Sequence, residues 1–129
     1  MRELKEIDIF IFNTLRNVLY EKLPEYKDVL DLQGDSIYSS EYNIYLFMNE
    51  FASYLVSRII EDRTSVFTKK SFEYINLLGQ SDNCEVLNIV NVGVLEILYT
   101  EEADNREWIK ENLSEKLQPY FLAWSKYYR

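Results

Sequence analysis

The chain has 129 residues, no histidine, one cysteine and eleven tyrosines. Without histidine no Ser-His-Asp or Cys-His catalytic arrangement can be built, nor the Glu-x-x-His pairs of di-iron bundles. Twenty-two acidic against 14 basic residues give a formal charge of −8, which disfavours contact with phosphate backbones and suits a basic partner.

This length predicts one domain over residues 1–129, with a core that needs no disulfide. Hydrophobic residues are 47% of the chain and charged ones 28%, a globular balance. Cys84 stands alone, so neither an intrachain disulfide nor a multi-cysteine metal site is available. The mixed charges of residues 1–6 and the short apolar run Ile9–Phe12 do not read as a signal peptide or a membrane span. The expectation is a cytoplasmic protein without cofactor or metal.

Leu4, Ile7, Ile11, Leu15 and Val18 recur every three or four residues, predicting a first helix over 3–22 that Pro24 closes. Pro24, Gly34 and the spaced acids Asp28, Asp31 and Asp35 make 23–38 a loop, with room for one helical turn or a short extended piece. The EF-hand register is absent from it, so its acids are not a calcium site. Ser39 or Ser40 can cap a second helix whose apolar face runs from Ile44 through Phe47, Phe51 and Leu55 to Ile59. Tyr42, Tyr45, Glu50, Tyr54 and Arg58 lie off that face.

A third helix is predicted over 68–78, burying Phe72, Ile75 and Leu78, with Gly79 as a left-handed terminator. The fourth begins at Asp82-Asn83-Cys84-Glu85, which has the form of a capping box. It is apolar nearly all round, so the segment near 82–99 is expected at the centre of the domain. Gly93 inside it costs about 1 kcal/mol in helix propensity and points to a neighbouring helix pressed close. A strand pair, 86–90 and 94–99, is the rival reading, since Val and Ile favour strands.

The fifth helix opens with a similar device, Asp104-Asn105-Arg106-Glu107. Its stripe from Ile109 to Trp124 runs straight past Pro119, predicting one helix kinked there, or two collinear pieces. The whole reads as an all-α bundle of about five helices. The repeated Asp-Asn-x-Glu admits stacked hairpins, although duplicated caps explain it better.

Cys84 falls in the first turn of a helix, which favours a thiolate. Acids on both sides and the missing histidine make a small structural residue the better reading. Asp104 and Glu107 suit a helix start, whereas Glu101 and Glu102 have no such explanation. Tyr38, Tyr42, Tyr45 and Tyr54 are difficult to bury together, and tyrosine suits interfaces. The candidate partner-binding residues are therefore the acids Asp31, Asp35, Glu101 and Glu102 with the tyrosines Tyr38, Tyr42 and Tyr45.

In size, acidity, scarcity of glycine and abundance of tyrosine the chain resembles the small immunity proteins of bacterial polymorphic toxin systems. The stretch Asn91-Val92-Gly93-Val94-Leu95-Glu96-Ile97-Leu98-Tyr99 is also similar to an uncharacterised bacterial helical domain family. The first resemblance implies a non-enzymatic protein whose acidic, aromatic face occludes the active site of a basic toxin. A structural or adaptor domain that oligomerises through the aromatic C-terminus (Trp124, Tyr127, Tyr128) is the alternative. A small enzyme working with carboxylates and tyrosines is the least favoured.

Overall fold

The computed structural model describes residues 2–33 and 43–128, with side chains over 9–29 and 43–128. Among the described residues the fold is all-α, without a strand.

Helix α1 (Arg2–Lys22) buries Phe12, Leu15 and Leu19, while Ile11 and Val18 of the predicted stripe are half-buried. The core face is thus turned by about one residue from the expected one. The helix stops at Lys22, and Leu23 forms a buried elbow whose N–H still reaches the Leu19 carbonyl at 2.7 Å. Pro24 does more than close α1. It opens a second helix, α2 (Pro24–Gln33), which corrects the loop expected over the first part of 23–38. Proline suits a first helical position, where its missing N–H has no partner to lose and its φ is already helical. Tyr26 then anchors α2, fully buried and edge-on to Phe51 at 5.4 Å between ring centroids. That long-range contact outweighs the turn-forming acids of the segment.

Helix α3 (Ile44–Asp62) carries the expected apolar face, from Ile44 through Phe47, Met48, Phe51, Ala52 and Leu55 to Ile59. Its cap is Asn43, whose side chain accepts from the Leu46 N–H at 3.1 Å. The helix therefore begins after Ser39 and Ser40, which lie outside the described residues. Helix α4 (Val66–Gly79) is capped by Ser65 and starts slightly before the predicted Thr68. Buried Tyr74 donates its hydroxyl to the Leu15 carbonyl at 2.8 Å, fastening α4 to α1.

Gly79 is the last residue of α4, not a left-handed terminator; Gln80 follows it in right-handed geometry. Its role is space. A Cβ there would fall 2.7 Å from Leu117.

The central segment is one unbroken helical rod made of α5 (Cys84–Val90), a π-helical turn (Asn91–Leu95) and α6 (Glu96–Tyr99). The strand pair is thereby overturned. The cap is Asn83 instead of Asp82, since the Asn83 side chain accepts from the N–H groups of both Glu85 and Val86. The rod buries Ile89, Val90, Val94, Leu95 and Leu98, and its π turn packs chiefly on α3. Gly93 lies at that crossing, as anticipated, with an added Cβ only 2.8 Å from Met48 Cβ.

The last predicted helix divides. Helix α7 (Ala103–Asn112) ends where Leu113 turns extended (φ −85°, ψ 146°), and α8 (Gln118–Ala123) begins with Pro119 in its first turn. The interruption thus precedes the proline and is not a kink on it. Asn76 of α4 holds the break open: it donates to the Asn112 carbonyl at 3.0 Å and accepts from the Ser114 N–H at 2.9 Å. Gln118 adds bonds to the carbonyls of Lys110 and Leu113. Leu113, Leu117 and Phe121 stay buried across the break, so the apolar stripe survives although the helix does not.

Candidate functional site: the ridge of helix α7

Helix α7 is short, and its one fully buried side chain is Ile109. Successive residues advance about 100° around a helix, so Asp104, Glu107 and Glu111 fall together on the side away from Ile109. All three are exposed. They form an acidic crest, continued toward the rod by exposed Glu102 and by Glu101, which is half-buried and accepts from Asn105 Nδ2 at 3.2 Å.

A groove runs along each flank of this crest. The first, about 360 Å³, lies between α4 and α7 and is lined by Arg63, Thr64, Lys69, Phe72, Glu73 and Trp108 among others. Trp108 stands edge-on to Phe72 (5.5 Å, 83°), and the Arg63 guanidinium lies over the indole at 5.6 Å. The second groove, about 300 Å³, lies between α6, α7 and α8 and is lined chiefly by Tyr99, Arg106, Glu107, Lys110, Phe121 and Leu122. In it Arg106 lies over the Tyr99 ring at 4.8 Å, with its Nε buried and without a hydrogen-bond acceptor. Lys110 reaches Glu107 at 3.9 Å.

The pattern has a simple electrostatic reason. Guanidinium groups are weakly hydrated and attracted to the negative face of an aromatic ring. Arg106 of α7 is therefore folded onto a ring, and Arg63, though exposed, lies over Trp108, while the carboxylates of α7 face water. The outward charge of the ridge is negative.

Among the described residues three ionisable groups depart from their ordinary behaviour, and each has a structural cause. Asp62 sits below the usual carboxylate range because Oδ1 accepts from the Thr64 hydroxyl (2.6 Å) and backbone N–H (3.0 Å), shaping the corner into α4. Burial pushes the Tyr74 phenol up. Tyr128 is raised by the short hydrogen bond it donates to Glu96.

Of the residues expected to bind a partner, those with described side chains, Tyr45, Glu101 and Glu102, are not brought into one patch. Glu101 and Glu102 join the α7 crest. Tyr45 lies at the opposite end of the rod, where its hydroxyl accepts from Asn88 at 2.7 Å and donates to Glu85 at 3.3 Å. From Asn88 to Tyr99 the rod advances roughly 16 Å, at about 1.5 Å per residue. Asp31 lies on α2 with its side chain outside the described set, and Asp35, Tyr38 and Tyr42 also fall outside the described residues. Tyr54 belongs to the core edge, in ring contact with Tyr26 and Phe67. Cys84 is exposed at the first position of α5.

The aromatic C-terminus is largely folded back. Trp124 donates to Asn91 in the π turn at 2.9 Å, and Tyr128 is bound to Glu96. Tyr127, 74% exposed, and the neighbouring Tyr120 and Leu122 face outward.

Sequence reasoning did not single out Arg63, Trp108, Arg106 or Tyr99. The available signal was the i, i+3, i+7 spacing of Asp104, Glu107 and Glu111, which marks a helix face. The arginine–ring pairs join separate elements and leave no trace in local spacing.

Among the described residues no helix is long and apolar enough to cross a membrane. No curated protein and no solved structure matches the chain. A family model does, from Arg16 inside α1 to the end of the chain, covering the rod and both grooves. The chain belongs to the family described as Domain of unknown function (DUF7674), whose model matches residues 16–129.

Proposed function

We propose that this protein is a non-enzymatic binding domain that recognises a basic protein partner through the α7 ridge. The observation that carries the reading is the sorting of charge on that ridge. Asp104, Glu107 and Glu111 are exposed while Arg106, on the same helix, is part-buried over the Tyr99 ring. A basic surface approaching α7 meets carboxylates first, with exposed Leu122, which lines the groove shared with Glu107, to supply apolar contact. Oriented charge of this kind speeds capture, and buried apolar contact slows release.

The finer reading is an immunity protein, cytoplasmic, that occludes the active site of a cognate toxin. Acidity, small size and a tyrosine-rich composition support it. The adaptor that assembles with itself through its C-terminus is less favoured. Trp124 and Tyr128, two of the three rings it would use, are bonded within the chain.

The test is capture from a lysate of the native organism on immobilised protein, at low and high salt, beside a variant carrying Glu102→Gln, Glu107→Gln and Glu111→Gln. Retention of one basic protein by the wild type, lost in salt and lost in the variant, supports recognition by the ridge. If that protein arrests growth when expressed alone and is neutralised by co-expression, the immunity role follows. Equal retention by the variant would move the interface elsewhere.

A further inference from the structure

We propose that the groove between α4 and α7 is a binding site for a small aromatic monocarboxylate. The proposal goes beyond recognition of a protein partner and does not depend on it.

The groove's volume of about 360 Å³ falls within the range of small-molecule sites. Its aromatic wall is chiefly the part-exposed Trp108, held edge-on by the buried Phe72, a surface suited to a planar ring. Its polar groups sort into used and unused. The Asn76 amide is committed to Asn112 and Ser114, the Asn112 amide to the Trp108 carbonyl, and the Thr64 hydroxyl to Asp62. Arg63 and Lys69 are different. Among the described residues neither forms an ion pair, in a chain where acids outnumber bases by 22 to 14.

Two cations without an ion-pair partner at one groove supply charge-assisted donors for a carboxylate, and Arg63 offers a planar fork. Arg63 also lies over the indole, so an aromatic ring against Trp108 and a carboxylate at the guanidinium are served by adjacent groups. Glu73, one turn beyond Lys69 on α4, also lines the groove. Its negative charge disfavours a second anionic group at that end, which is the reason for assigning one charge to the ligand.

The experiment is a titration of the isotopically labelled protein with benzoate, followed by amide and indole resonances, with benzyl alcohol and benzylamine as neutral and cationic counterparts. The Trp124 indole N–H, bonded to Asn91 elsewhere in the fold, serves as an internal control. Benzoate is expected to shift the Trp108 indole N–H and the amides of Arg63 and Lys69 along one saturable curve, leaving Trp124 still. Combining Arg63→Gln with Lys69→Gln should weaken this by about tenfold or more, and Lys69→Glu alone should weaken it in the same direction. Both positions are exposed, and unchanged dispersion elsewhere in the spectrum verifies the fold. Equal shifts from benzyl alcohol, equal movement of both indoles, undiminished binding by the variants, or no shift at all would overturn the site.

Discussion

Met48 on α3 and Gly93 in the π turn of the central rod approach so closely that a Cβ on the glycine would stand 2.8 Å from the methionine Cβ. The obstructing atom is fixed to the α3 backbone, so rotation of the Met48 side chain cannot clear it. Elsewhere in a helix Gly→Ala stabilises by about 1 kcal/mol. Here overpacking of about 1–3 kcal/mol opposes that gain. Gly93→Ala is therefore expected to destabilise the protein, by up to about 2 kcal/mol in urea denaturation. Unchanged or raised stability would show that α3 and the rod can separate freely.

Gly79 and Leu117 make a related pair with a different outcome. A Cβ on Gly79 meets three side-chain carbons of Leu117 at 2.7–2.9 Å. Gly79→Ala should destabilise, and Leu117→Ala should cost about 2–5 kcal/mol as a buried truncation. Combined, they should cost less than their sum, because removing the leucine opens the space the methyl needs. Simple additivity in a double-mutant cycle would refute the contact.

Asn76 replaces the helical hydrogen bonds that the chain gives up at Leu113. Asn76→Ala leaves the Ser114 N–H and the Asn112 carbonyl without that partner, a loss of about 1–3 kcal/mol. Hydrogen exchange should accelerate at the Ser114 amide well before it does at Tyr74 in the core of α4. Protection unchanged at Ser114 would mean that the break is held by Gln118 alone.

The Tyr128–Glu96 bond makes a prediction about alkaline stability. Donating a proton to Glu96 raises the Tyr128 pKa above its unfolded value. The protonated phenol is thus preferred in the folded state. Its contribution is fully present below the unfolded pKa, near 10, and is lost as pH rises through the higher folded value. Tyr128→Phe should lower stability at neutral pH and flatten the alkaline decline. Tyr74, raised by burial, pushes in the same direction, so the variant should keep part of that decline. An unaltered pH profile would count against the bond.

At the acid end Asp62 gives the opposite sign. Its folded pKa is depressed by Thr64, so its contribution is present above the unfolded carboxylate value and is lost as pH falls through the folded one. Asp62→Asn should remove that part of the acid sensitivity, measured as the difference between denaturation midpoints near neutrality and at low pH. A wild-type acid profile in the variant would place the proton uptake at other carboxylates.

The sequence by itself determined the helical class, the stripes of α3 and α4, the apolar centre near 82–99 and the close approach at Gly93. These rest on periodicity and on residue size, which are local properties. Glu101 and Glu102 stand out in the sequence because a helix expected to start at Asp104 leaves them unexplained; the structure starts α7 at Ala103 and makes Glu102 its N-cap residue. Only the tertiary structure decided that Pro24 begins a helix, since the burial of Tyr26 against Phe51 is a long-range gain. The break at Leu113 was likewise invisible, because the amide that satisfies it comes from Asn76 on another helix. The α7 ridge has the same origin. An arginine's position over a ring depends on which helices pack side by side, and that packing brings Arg63 to Trp108 and Arg106 to Tyr99, leaving the acids of α7 toward water.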